Sequence, residues 1–196
     1  MNEINESSVA GMDDHQPEKF NLKHFLIEAA TYIILALVLT SVVNLFTARV
    51  RVLNVSMQPT LHQGELLLVS KMAYLNTQPR TGEIIIFHAS TSPGENFIKR
   101  VIGTPGDKVL VRGGQVYVND IQLKEDYIAS PPAYTGEWEV PGDSLFVMGD
   151  NRNSSSDSHS WGFVPMEDVI GKVLLVYWPI TEITLLTNPG SVTAAP

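Results

Sequence analysis

The stretch KVLVRGGQVYVNDIQL, residues 108–123, decides how the rest of the chain reads. Short runs rich in β-branched residues, KVLVR and QVYV, are separated by Gly113-Gly114 and followed by Asn119-Asp120. Both dipeptides are two-residue turn signals, because tight hairpin turns need positive φ at their central positions. The stretch therefore predicts a meander of three antiparallel strands. Working outward, 65–69, 83–87, 97–102, 144–148 and 172–178 are further apolar runs of strand length, bounded by Gly, Pro and Asn. No helical periodicity lasts beyond about two turns after residue 47. The fold class is mostly β, with an antiparallel sheet domain over 47–182. The end, 183–196, is small and polar and reads as a flexible tail, and no internal repeat is present.

A different pattern precedes this domain. Residues 25–46 are almost wholly apolar, with Glu28 and Asn44 as the exceptions. As a helix at about 1.5 Å per residue they cover roughly 33 Å, close to the roughly 30 Å of a bilayer's hydrocarbon. The run is longer than a cleavable leader's core, follows an acidic segment, and has no small-x-small site behind it, so it reads as one retained transmembrane anchor. Residues 1–24 hold five acidic residues and two lysines and read as a disordered tail. Lys19 and Lys23 on one side are matched by Arg49 and Arg51 on the other, so charge alone leaves the orientation open.

Composition removes several chemistries. The chain has 196 residues, no cysteine and a net charge of −8. Thiolate nucleophiles, disulfides and cysteine-zinc sites are excluded. A nucleic-acid partner is disfavoured, because the acidic balance repels phosphate and no basic cluster offsets it. There is no HExxH or close histidine pair, so neither a metal nor another cofactor is expected.

Three patches carry groups able to do chemistry. In VLNVSMQPTLHQGELLLVSK, residues 52–71, Ser56 lies ten residues beyond the apolar run. It reads either as a nucleophile or as a loop hydroxyl before the turn at Pro59. In ENFIKRVIGTPGDKV, strand alternation puts Phe97, Lys99 and Val101 on one face. An edge-strand lysine is one reading. A general base is the other, since apolar neighbours disfavour the ammonium. In LFVMGDNRNSSSDSHSWGFVP, residues 145–165, one loop gathers Asp150, Arg152, three serines, Asp157 and His159. That density exceeds what a connector needs.

In this order behind an apolar anchor, SMQPTL, FIKRVIGTPGD and GDNRNSSSDSHSWGFVP resemble the boxes of type I signal peptidases, membrane-anchored Ser/Lys endopeptidases. The resemblance implies an antiparallel β catalytic domain of signal-peptidase type behind one transmembrane helix. It implies that Ser56 is the nucleophile and Lys99 its general base, with Ser155 orienting the lysine amine. Asp157 falls at the buttressing acidic position, and Asp150 and Arg152 fall in the supporting turn. The Ser56 backbone N–H would donate to the oxyanion. Val52, Leu53, Met57, Leu61, Phe97 and Ile98 would line shallow apolar pockets for small side chains, with the substrate added as a strand. The expected partners are preproteins bearing signal peptides, cut after Ala-x-Ala, and membrane lipid. The location that the resemblance implies is a cell membrane, with residues 1–24 as a cytoplasmic tail and the catalytic domain outside the cytoplasm, or alternatively a thylakoid membrane.

Two residues depart from the family pattern. Asn54 stands where many relatives have serine or glycine, and its amide can supply a second oxyanion donor. His159 stands where an arginine more commonly pairs with the aspartate, which replaces a permanent ion pair by a neutral or pH-dependent bond. Two rival readings remain in view. A Ser-His hydrolase would draw on His62, His88 or His159, but no GxSxG elbow is present. A membrane-tethered β binding domain would leave the Ser56, Lys99 and loop constellation without a purpose.

Overall fold

The computed structural model describes residues 21–89, 92 and 94–186. Helix α1, Leu22–Phe46, starts three residues before the apolar run. Asn21 explains the early start: its carbonyl accepts from the Phe25 N–H at 3.0 Å and its side chain from the His24 N–H at 3.3 Å. None of the helix's residues is buried, and it is long and apolar enough to cross a membrane. It has no polar face to turn toward water, as suits a helix surrounded by hydrocarbon.

Twelve strands follow among the described residues of the β unit. The first six are β1 Thr47–Arg51, β2 Leu66–Ser70, β3 Ile84–His88, β4 Asn96–Gly103, β5 Lys108–Arg112 and β6 Gln115–Val118. The others are β7 Ile121–Gln122, β8 Gly136–Glu139, β9 Ser144–Met148, β10 Val164–Pro165, β11 Val169–Trp178 and β12 Thr184–Leu185. One sheet runs β1-β2-β11-β3-β4-β9-β10 with β12 added on β11, and a smaller sheet runs β7-β6-β5-β8. Every pairing in both sheets is antiparallel. The expected meander is β5-β6-β7, with positive φ at Gly113, Gly114, Asn119 and Asp120.

Strand β3 shows why the large sheet forms. Ile84 and Ile86 enter a cluster with Leu67, Val69, Val173 and Val176, while Ile85 and Phe87 enter another with Val101, Leu145 and Val147. Successive side chains point to opposite faces and both faces are covered, so the run is continuously apolar rather than alternating. The small sheet closes over a third cluster that includes Val109, Val116, Phe146 and Met148.

At the chain ends the elements differ from the sequence boundaries. Residues 22–24 belong to the helix rather than to the tail expected over 1–24, and the remainder of that tail up to residue 20 lies outside the described residues. Within the expected tail 183–196, Thr184–Leu185 pairs with β11, and the Leu186 N–H donates to the Leu174 carbonyl at 2.9 Å. The backbone pairing of β11 extends the sheet where composition suggested loose chain. Residues 187–196 lie outside the described residues.

Candidate active site

The loop that carries Ser56 is positioned by backbone bonds. The Val52 N–H donates to the Glu65 carbonyl, and the Gly64 N–H to the Val52 carbonyl, each at 2.9 Å. From the far loop, the Asn151 N–H donates to the Ser56 carbonyl at 3.0 Å, and Asn151 Nδ2 to the Val55 carbonyl at 3.2 Å. Two segments 95 residues apart, at Ser56 and Asn151, are thereby locked together.

On β4, Lys99 reaches this loop, and its Nζ lies 2.8 Å from Ser56 Oγ. Both residues are buried, Ser56 at 7% and Lys99 at 3% exposed. Burial pulls the Lys99 amine from its ordinary 10.5 down to about 8, and the carboxylates of Asp157 and Asp150 keep it from falling further. The Phe97 ring, 5.6 Å from Nζ, lies on the same side of β4, as strand alternation predicts.

The remaining loop residues form the frame. Asp150 takes a bidentate pair from Arg100, with Nε–Oδ1 2.8 Å and Nη2–Oδ2 2.6 Å, and also accepts from the Thr60 hydroxyl. Arg152 donates from Nε to the Gly149 carbonyl at 3.1 Å and from Nη1 to Glu125 at 3.0 Å. Asp157 is fully buried, accepts the Gly149 N–H at 2.8 Å on Oδ2, and meets His159 Nδ1 at 2.6 Å on Oδ1. A Cβ on Gly149 would collide with Ser155 Oγ and with the Ser56 carbonyl, so only glycine fits there.

Residues 25–178 match the family described as signal peptidase, peptidase S26. The chain belongs to this family. Signal peptidases of this kind are serine endopeptidases, and so is this enzyme. It is 43% identical to the signal peptidase I of Leptolyngbya laminosa over 85% of this chain and 86% of the relative. It is 38% identical to thylakoidal processing peptidase 1, a chloroplast protein of Arabidopsis thaliana, over 67% of this chain and 42% of that protein. A signal peptidase I structure from Enterococcus faecalis aligns with a TM-score of 0.46 at 32% identity, covering 49% of this chain and 97% of that one.

Several expected site residues of this signal peptidase family member sit differently from the sequence reading. Asn54 accepts rather than donates: its Oδ1 takes the Ser56 hydroxyl at 2.9 Å and the Ser56 N–H at 3.4 Å. A short Asn side chain readily closes such a turn onto the backbone two residues on. Ser155 Oγ is buried and makes no hydrogen bond, so the expected bond to Lys99 is not formed. In this arrangement the lysine amine is directed to Ser56 instead. Of the six expected substrate contacts, Leu53, Phe97 and Ile98 line an open groove of about 640 Å³, together with Val50, Arg51 and Asn54. Val52, Met57 and Leu61 do not line it. They are closed into the core cluster on which Ile98 packs, because their loop folds inward over β2 and β11.

Arg100, Thr60, Glu125 and Tyr127 were not singled out from sequence. Tyr127 stacks its ring 4.0 Å from the Arg100 guanidinium. Arg100 and Thr60 lie inside two of the quoted boxes, where their charge and hydroxyl were visible signals, while Glu125 and Tyr127 lie in a segment without a pattern. Among the described residues, Ser56 Oγ meets Lys99 and Asn54 and no histidine. One group with metal-ligand chemistry, His62, Glu65 and Glu182, has donor atoms within 4.8 Å of one another and includes neither Ser56 nor Lys99.

Proposed function

We propose that the chain removes signal peptides from exported preproteins after Ala-x-Ala, with Ser56 as nucleophile and Lys99 as general base. The 2.8 Å contact between two buried side chains carries this reading. Neutral Lys99 accepts the Ser56 proton as Oγ attacks the scissile carbonyl. The resulting ammonium returns that proton to the departing amine, leaving an ester on Ser56. Lysine-activated water then hydrolyses the ester. The Ser56 N–H serves the oxyanion, and Asn54 joins it once its carboxamide turns to present Nδ2.

Substrate binding follows from an open edge. Strand β4 pairs with β3 from Asn96 to Arg100, but its pairing with β9 begins only at Arg100. Phe97–Lys99 therefore keeps one free row of backbone groups, to which an extended peptide adds as a strand. Leu53, Phe97 and Ile98 favour small apolar side chains along it. Helix α1 anchors the enzyme in a cell membrane, with the β unit outside the cytoplasm and lipid as its second partner. The thylakoid membrane is the alternative, favoured by the match to a thylakoidal relative. Asp157, Asp150 and Arg152 hold the dyad in place through their hydrogen bonds, and Ser155 packs beside it against Gly149.

The test is cleavage, by the full chain purified in detergent, of a precursor whose signal peptide ends in Ala-x-Ala. Ser56→Ala and Lys99→Ala are each expected to abolish product. Full activity in Lys99→Ala would overturn the dyad, and loss in His88→Ala with Lys99→Ala active would restore a histidine base.

A further inference from the structure

Asp157 is a fully buried carboxylate without a permanent cation of its own. The two buried arginines nearby are engaged elsewhere, Arg100 with Asp150 and Arg152 with Glu125. The charged or chargeable groups that face Asp157 are His159, which touches it at 2.6 Å, and Lys99 and the Tyr134 phenol, which both feel its charge. Lys99 is faced in turn by Ser56, by the Phe97 ring, by Asp157 and by Asp150, whose charge Arg100 already offsets.

His159 is held from its other side by Tyr134. The two rings stack at 4.0 Å between centroids with 12° between planes. Tyr134 comes from the segment between β7 and β8, and that segment is fixed to the active-site loop. The Ala133 N–H donates to Asn153 Oδ1 at 2.8 Å, and Asn153 Nδ2 donates to the Pro131 carbonyl at 3.0 Å. The Tyr134 hydroxyl is buried and makes no hydrogen bond, so the ring face is the part of this side chain that does the holding.

We propose that Tyr134 and His159 are positioning residues for the dyad: the Tyr134 ring presses the imidazole onto Asp157, which holds the Gly149 turn beneath Ser56 and leaves its own charge to act on Lys99. The inference rests on Lys99 being the base. A fixed cation at position 159 would take up the Asp157 charge, and Lys99 would then release its proton at lower pH. A neutral donor there would leave the Asp157 charge as it is, so the acid limb would stay in place while the lost ring stack lowers kcat. Loss of the ring at 134 would let the imidazole and Asp157 move, and the reacting groups would lose their alignment with little effect on the groove that binds substrate.

The experiment measures kcat and KM for an Ala-x-Ala peptide against pH, using the full chain in detergent. H159R is expected to move the acid limb of kcat/KM to lower pH by roughly half a unit, about threefold more activity on that limb relative to the alkaline plateau. H159Q is expected to leave the limb in place. Y134A is expected to lower kcat at least about tenfold with KM nearly unchanged, and Y134F, which keeps the ring, to restore it. A limb unmoved in H159R overturns the electrostatic part. Unchanged kcat in Y134A, or Y134F as poor as Y134A, overturns the clamp. If H159R fails to fold, H159K supplies the fixed cation and is read in the same way. An acid limb that survives in an active Lys99→Ala variant strikes instead at the dyad reading, so the two failures are distinguishable.

Discussion

At Lys99 the chemistry and the stability pull in opposite directions. The folded state holds this amine near 8 against an ordinary 10.5, chiefly because burial disfavours its charge. Between those pH values the unfolded chain binds more protons than the folded one, so stability rises as pH rises from 8 to 10.5, and the full cost is present below pH 8. Lys99→Met is therefore expected to stabilise the protein at pH 7 by on the order of 2–3 kcal/mol, with the gain fading toward pH 10.5. Urea unfolding at both pH values checks this, and a less stable variant at pH 7 would mean that the amine is stabilised by its carboxylates rather than strained by burial. In the serine run, only Ser155 turns its hydroxyl into the protein, and Ser154 and Ser156 are exposed. Ser155→Ala is expected to lower kcat by a larger factor than Ser154→Ala or Ser156→Ala, and equal small effects would contradict its place beside the dyad. Ser56 and Lys99 could be picked out as candidates from sequence because each stands inside a local string with its own signature. The acceptor role of Asn54 and the unbonded Ser155 hydroxyl were not legible there, since both depend on how two distant loops meet.

At the scale of elements, the loop around the site is braced by pairs that cross long stretches of sequence. Arg152 and Glu125 form one of these, with side chains 0% and 6% exposed. Removing one partner of a buried pair strands the other charge, at a cost of about 3–5 kcal/mol. Arg152→Met and Glu125→Leu are each expected to destabilise by about that much, while the R152M/E125L double variant recovers a large part of it. Guanidinium unfolding of the three variants closes the cycle, and additive losses would show that the two side chains are not coupled. The strands that apolar runs define, such as β3 and β9, were legible within a residue or two. Strand β8 was not, because GEWE has one large apolar residue and becomes a strand through its register with β5. Strand β1 follows directly on the helix as TARVR, where two arginines mask a strand fixed by pairing with β2.

Taken whole, the molecule joins an apolar helix to an antiparallel β unit that carries the site. The helix and the antiparallel class were legible because their signals, an apolar run of bilayer length and two-residue hairpin turns, are local in the sequence. The contact between Ser56 and Lys99 was not, because the two residues lie on separate elements 43 positions apart. The activity of the full chain is expected to depend on one ionisation that makes Lys99 neutral, rising with pH. The pH dependence of kcat/KM for Ala-x-Ala cleavage by the full chain in detergent tests that claim most directly. A rise through an apparent pKa of about 8 is expected, with no cleavage at any pH in Lys99→Ala. Cleavage that is already maximal at pH 6, or that persists in Lys99→Ala, would contradict the assignment of Lys99 as the base.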